Sequence, residues 1–215
     1  MRNSGAGSEP AGRQPSEDPE GAAMEICLRL LTAAPRTRAQ LADALHRRQV
    51  PRQVADEVLA RLTGVGLIDD EAFAHAWVES RHYSRGLAAR ALKAELRQRG
   101  VSEGNVRAAV AELTPQQEEA AARRLVQAKL AATQGKPAVT RVRRLMGLLA
   151  RKGYPAGLAY RVVREALEQE GIDPASAGLD SEAVLDAETA DDTETADDAE
   201  AVGDTEAVGG AETGR

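Results

Sequence analysis

Three stretches of the chain align on one another without a gap: LADALHRRQVP at 41–51, LKAELRQRGVS at 92–102 and LMGLLARKGYP at 145–155. In each, two leucines stand four apart, as Leu41/Leu45, Leu92/Leu96 and Leu145/Leu149. A basic turn then leads to an apolar residue five positions after the second leucine: Val50, Val101 or Tyr154. Leucines at i and i+4 share one helical face. The Pro51, Ser102 or Pro155 that closes each stretch opens another helix, because proline suits the first helical position and serine the N-cap. The copies are 51 and 53 residues apart. A repeat of that length restricts the fold to a tandem array of small helical units.

The rest of the body agrees. Ala, Leu, Arg, Glu and Gln, all good helix formers, dominate residues 21–170, and no stretch alternates with period two. Breakers recur at Pro35, Pro51, Gly64 with Gly66, Gly86, Gly100, Gly104, Pro115, Gly135 with Pro137, and Gly153 with Pro155, cutting the body into about nine helices. The fold class is all-α: three tandem three-helix repeats, spanning about 21–68, 69–114 and 115–170. A unit this small has little core of its own. The expectation is therefore that neighbours share apolar faces and build an elongated, curved body.

Charge is divided along the chain. Residues 21–170 carry 25 basic and 16 acidic side chains, whereas 171–215 carry 14 acids and a single arginine, Arg215. The ETADD sequence at 188–192 and 194–198 and the EAVG sequence at 200–203 and 206–209 form a degenerate repeat of period six, which suits neither a helix face nor a strand. Both ends, 1–20 and 171–215, hold few large apolar residues and are expected to be disordered tails. A basic body points to a polyanionic partner. An acidic tail tethered to it could compete with phosphates or simply keep the chain soluble. No apolar run spans a bilayer, the first twenty residues hold no secretory core, and the single Cys27 excludes an internal disulfide. A cytoplasmic location is expected.

The run GLIDDEAFAHAWVESR at 66–81 contains three successive acids and the chain's only Phe and Trp. Asp69 suits an N-cap, Asp70 and Glu71 then fall in the first turn, and Ile68 with Phe73 occupy the two positions of a hydrophobic staple. Phe73, Trp77 and Arg81 share one face. A catalytic reading needs a second cluster, and none is evident. His75 and His82 are too far apart for an i,i+4 metal pair, His46 stands alone, Cys27 sits in an apolar helix, and no phosphate-binding or nucleophile motif occurs. No enzyme activity, cofactor or metal is expected.

The same residues, Gly66-Leu67-Ile68-Asp69-Asp70-Glu71 followed by Phe73, Ala74, Val78 and Arg81, resemble the signature of the RecX family. Gly86 and LKAELRQRGVS follow at family-like spacing, with Arg99 where lysine is usual, and GLLARKGYP also fits. The resemblance spans roughly 24–170 and is strongest over 62–113. It implies a modular fold of three-helix repeats. It also implies a non-catalytic bacterial regulator that binds the RecA–single-stranded DNA filament and inhibits ATP hydrolysis, filament growth and strand exchange in recombination and repair.

Two basic segments are the contact candidates. Residues 81–99 hold Arg81, Arg85, Arg90, Lys93, Arg97 and Arg99 against Glu95, and 137–152 hold Arg141, Arg143, Arg144, Arg151 and Lys152 with no acid. Guanidinium groups pair with phosphates and carboxylates alike. Cations near helix C-termini also serve the helix dipole, so Arg97 with Arg99 and Arg151 with Lys152 have a structural reading as well. With so few aromatics, any binding of single-stranded DNA should be weak and electrostatic. A monomer is expected. The alternative is a stand-alone helical DNA-binding regulator, since three-helix units can act as helix-turn-helix domains.

Overall fold

A computed structural model describes residues 18–173 of the chain. The remainder of the two expected tails, 1–17 and 174–215, lies outside the described residues. The described residues form nine α-helices in three consecutive triplets. Unit one holds α1 (Pro19–Ala33), α2 (Arg38–Arg47) and α3 (Arg52–Gly64). Unit two holds α4 (Asp70–Arg85), α5 (Ala89–Gln98) and α6 (Glu103–Ala111). Unit three holds α7 (Pro115–Leu130), a short 3-10 turn at Ala131–Thr133, α8 (Ala138–Arg151) and α9 (Ala156–Gln169).

The sequence repeat is a helix-stop device. At the end of each middle helix the chain closes a Schellman turn, in which the residue two past the C-cap donates to a carbonyl five residues back. Val50 N–H reaches Leu45 O at 3.2 Å, Val101 reaches Leu96 at 3.1 Å, and Tyr154 reaches Leu149 at 3.1 Å. The second leucine and the turn apolar residue are thus the two ends of one hydrogen bond. The residue between them adopts a left-handed φ: Gly100 at +75°, Gly153 at +83° and, in unit one, Gln49 at +60°. Ser102 then caps α6, accepting from Asn105 N–H at 3.3 Å. Pro51 and Pro155 stand at the N-cap, one position earlier than expected.

Each unit buries its own apolar cluster, contrary to the expectation of shared faces. Unit one packs Cys27, Leu41, Leu45, Val58, Leu59, Leu62 and Ile68. Unit two packs Val78, Leu92, Leu96, Val101 and Val106. Unit three packs Val126, Leu145, Leu149, Tyr154, Val163 and Leu167. A buried leucine contributes roughly 1.5–3 kcal/mol relative to an exposed one, so the paired leucines of every middle helix suffice to anchor it. Among the described residues only Ala88 crosses over, as a unit-two residue seated in the unit-three cluster.

The units are joined instead through helix ends. At the first junction, Thr37 at the N-cap of α2 donates its hydroxyl to Arg99 O, at the C-cap of α5, at 2.7 Å. The Asp70 carboxylate accepts from Arg38 N–H at 2.8 Å. At the second junction, Ala88 N–H donates to Lys152 O at 2.9 Å, and Glu118 accepts from Ala89 N–H at 2.7 Å. The positive N-terminus of one middle helix therefore meets the negative C-terminus of the next, and an acid from the following unit covers the exposed donor. Close approach is possible because the turn residue is glycine. A Cβ on Gly100 would stand 2.3 Å from Ala39 Cβ, and one on Gly153 would stand 2.6 Å from Ala91 N. The turn that ends α2 carries Gln49 in place of glycine, and among the described residues no helix start docks on it.

Asp69 caps α4 as expected, accepting from Ala72 N–H at 2.8 Å. The staple is divided, however: Ile68 belongs to the unit-one cluster and Phe73 packs on that of unit two. The described residues also reach into both expected tails. Asp18 caps α1 and Glu20 pairs with Arg61 at 2.8 Å, while Ile172 packs against the unit-three core. Gly66, at φ +74°, closes α3 by the same type of turn.

Candidate partner interface

The cationic candidates fall into three groups. Arg81 and Arg99, eighteen positions apart, converge on Trp77: their guanidinium carbons lie 4.1 and 3.7 Å from its ring centroid. Trp77 also stacks on Phe73 with centroids 5.6 Å apart and donates its indole N–H to Glu95 at 2.7 Å. This cluster ties α4 to the end of α5. The two arginines are half-buried, so cation–π attraction and desolvation fix them in place. Phe73 and Trp77 are themselves half-buried against the unit-two core.

The second group lies on α5 and at the end of α4. Arg85 is exposed in the last turn of α4, beside Gly86. Arg90, Lys93 and Arg97, at i, i+3 and i+7, share one side of α5. Arg97 binds Glu103 through both carboxylate oxygens, at 2.9 and 2.8 Å. That bond holds the Glu103 carboxyl below its ordinary range and raises the Arg97 guanidinium above its own. The pair is fully exposed, so water screens most of its strength.

The third group is on α8 and requires a correction. Arg141 is no surface cation. It is 5 % exposed, donates from Nε to Thr133 Oγ1 at 3.1 Å, and forms an ion pair with Glu170 at the end of α9. It stands four residues before Leu145 and eight before Leu149, on the core-facing stripe. Its aligned counterparts in the other units are Thr37 and Ala88, the two residues that dock on the next unit. Among the described residues no unit follows unit three, and there Arg141 and Glu170 pair with each other at the end of α9. Arg143, Arg144 and Arg151 are exposed, and Arg151 lies across Gly147, its Nη1 3.3 Å from where a Cβ would sit. Arg144 and Arg151 thus line one side of α8, leading to Lys152.

Head-to-tail docking brings the second and third groups together. Lys152 O accepts from Ala88 N–H at 2.9 Å, so Arg151 and Lys152 at the end of α8 sit at the start of α5, next to Arg90. The ends of two arrays far apart in sequence, Arg151 with Lys152 on α8 and Arg90 near the start of α5, thereby meet at one junction. Sequence reasoning missed Glu118 at this junction and Thr37 at the first, and it read Asp70 as a first-turn acid without its partner Arg38 N–H. An acid near the start of α4 and of α7 was the available signal.

Among the described residues, no group of His, Cys, Asp or Glu could hold a metal ion, and no helix is long and apolar enough to cross a membrane. The His75 imidazole meets Glu112 at 3.1 Å, and His82 Nδ1 lies 2.9 Å from Leu87 O. The Cys27 thiol is buried, and burial pushes its pKa up.

Comparison with known proteins places this geometry. The models of the first, second and third three-helix domains of RecX match residues 23–62, 69–110 and 117–163. The regulatory protein RecX of Thermobifida fusca (strain YX) is 63% identical over 169 residues, covering 79% of this chain and 91% of that protein. That of Streptomyces lividans is 57% identical over 165 residues, covering 77% and 88%. A crystal structure of RecX from Lactobacillus salivarius has the same fold, with a TM-score of 0.63 at 17% identity, covering 69% of this chain and 96% of that one. Three consecutive domain matches and relatives this similar make the chain a member of the RecX family of regulatory proteins.

Proposed function

We propose that the protein is a monomeric, cytoplasmic, non-catalytic regulator that binds the RecA–single-stranded DNA filament and inhibits ATP hydrolysis, filament growth and strand exchange. Family membership supplies the class of function. The observation that supports the mode of contact is the meeting of the end of α8 with the start of α5 at the Ala88–Lys152 bond; on this reading Arg144, Arg151, Lys152, Arg90, Lys93 and Arg97 act as one cationic strip. Such a strip matches a periodic polyanion, whether the DNA backbone or acidic side chains along a protein groove. Arg141 is outside it; Arg81 and Arg99 support it by fixing α4 against α5. A contact that spans neighbouring protomers hinders the movements coupled to ATP turnover.

The strip also sets how DNA is touched. With about five cations engaged, affinity for single strands should fall with salt at a log–log slope of roughly −3 to −4. The test is inhibition of DNA-dependent ATP hydrolysis by the cognate RecA, comparing the native protein with a variant carrying Arg144→Glu and Arg151→Glu. Loss of potency with an unchanged helical spectrum supports the reading. Undiminished potency removes the strip from the interface.

A further inference from the structure

We propose that the acidic segment beyond Asp173 docks on the exposed cationic side of α8, at Arg143, Arg144 and Arg151, and so acts as a tethered competitor for the polyanion. The competitor role rests on the proposed function; the docking does not.

Four observations converge. First, the point where this segment leaves the fold is fixed. Glu170 is ion-paired to Arg141, the fourth residue of α8, and Ile172 packs on the unit-three core. The segment therefore starts beside the first turn of α8, at the open end of the array. Second, α8 has unmatched charge. From Lys136 to Gly153 the chain carries six cations and no acid. Third, the unit-three acids near it are already engaged. Glu119 and Glu165 bind Arg123, Glu168 binds Arg164, and Glu118 caps α5. Among the described residues, Arg143 and Arg144 have no ion pair. Fourth, residues 174–215 carry 13 acids and one arginine.

Reach is not limiting. Arg144 lies about 4.5 Å along the helix axis from Arg141 at 1.5 Å rise per residue. Asp180, the first acid of the segment, is separated from Asp173 by a stretch that can extend roughly 25 Å. Tethering at that distance gives an effective concentration on the order of millimolar, enough to populate a weak electrostatic contact. The contact is salt-sensitive, because the exposed guanidiniums are screened once the Debye length falls below about 10 Å.

The full-length chain allows a direct test. Its one thiol, Cys27, is buried, so Ser181→Cys offers a single accessible site for a nitroxide label. In isotope-labelled protein at about 20 mM salt, where the Debye length is roughly 20 Å, the label should broaden amides of α8 and spare α2. Arg143→Gln with Arg144→Gln should relieve that broadening, as should excess oligothymidylate. No broadening, or equal broadening of all three units, overturns the docking. For the competitor role, Asp180, Glu182, Asp186, Glu188, Asp191 and Asp192 are changed to their amides. Binding of single-stranded DNA should tighten about 3–10-fold at low salt and change little near 0.3 M, where screening has removed the contact. Selective broadening of α8 with unchanged affinity overturns the competitor role alone.

Discussion

Replacing Gly153 by alanine should weaken the second junction far more than the same change weakens an unconstrained turn. Two costs combine. An alanine at φ +83° occupies the left-handed region, at roughly 1–2 kcal/mol. The added Cβ also falls 2.6 Å from Ala91 N and 2.8 Å from Ala91 Cβ, and backbone cannot swing aside as a long side chain can. The end of α8 must retreat from the start of α5. Retreat breaks Ala88 N–H to Lys152 O, at 2.9 Å, and Tyr154 Oη–H to Gly86 O, at 3.0 Å. Each such bond contributes about 1 kcal/mol, so the total loss is about 3–4 kcal/mol. Gly66→Ala is the control: φ is +74° and nothing lies within 4 Å of the added carbon, leaving only the conformational cost. In urea titrations followed by circular dichroism, with a slope of about 2 kcal/mol per molar, G153A should lower the unit-three midpoint by roughly 1.5–2 M. G66A should lower the midpoint of its own unit by less than about 1 M on the same slope. Equal shifts would refute the claim that units are joined through close-packed helix ends.

Other expectations follow from the same contacts. Gln49→Gly should stabilise unit one by about 0.5–1 kcal/mol in the same titration, because it relieves a left-handed φ of +60° on a residue with a Cβ. Glu170→Gln should destabilise unit three by about 2–4 kcal/mol, since it leaves the buried Arg141 guanidinium without its counter-charge, whereas Arg144→Gln should change stability by less than about 0.5 kcal/mol. The Tyr154 hydroxyl, buried and near the Glu118 charge, has its pKa pushed up from 10.0 to about 12. The folded state thus holds that proton more tightly than the unfolded one, so this contribution is full below pH 10 and is lost as pH rises towards 12. Tyr154→Phe should flatten the fall in stability over that window. Arg99→Ala should shift Trp77 emission, as the ring loses a guanidinium 3.7 Å from its centroid.

Local structure was legible because it is written in short-range pattern. The leucine pair and the turn residue name both ends of one Schellman hydrogen bond, and Asp69 announces a helix start through a cap three residues long. The junctions were not legible, because Asp70 meets Arg38 across 32 positions and Glu118 meets Ala89 across 29. Nothing in either segment alone marks the pairing. Arg141 shows a different failure. In a run of three arginines within four positions, composition makes all look alike. Periodicity separates them: position 141 lies on the Leu145–Leu149 stripe, and 143 and 144 do not. The expectation of shared apolar faces underrated how much core three short helices bury when alanines let them approach closely.

The central claim is that this helical array regulates a RecA filament through the strip where α8 meets α5. The most direct measurement is single-stranded-DNA-dependent ATP hydrolysis by the cognate RecA, titrated with the native protein and with the Arg144→Glu, Arg151→Glu variant. The account predicts strong inhibition by the native protein and clear loss of potency in the variant, with both equally folded. Absence of inhibition by the native protein at any ratio, or equal potency of the two, would contradict it.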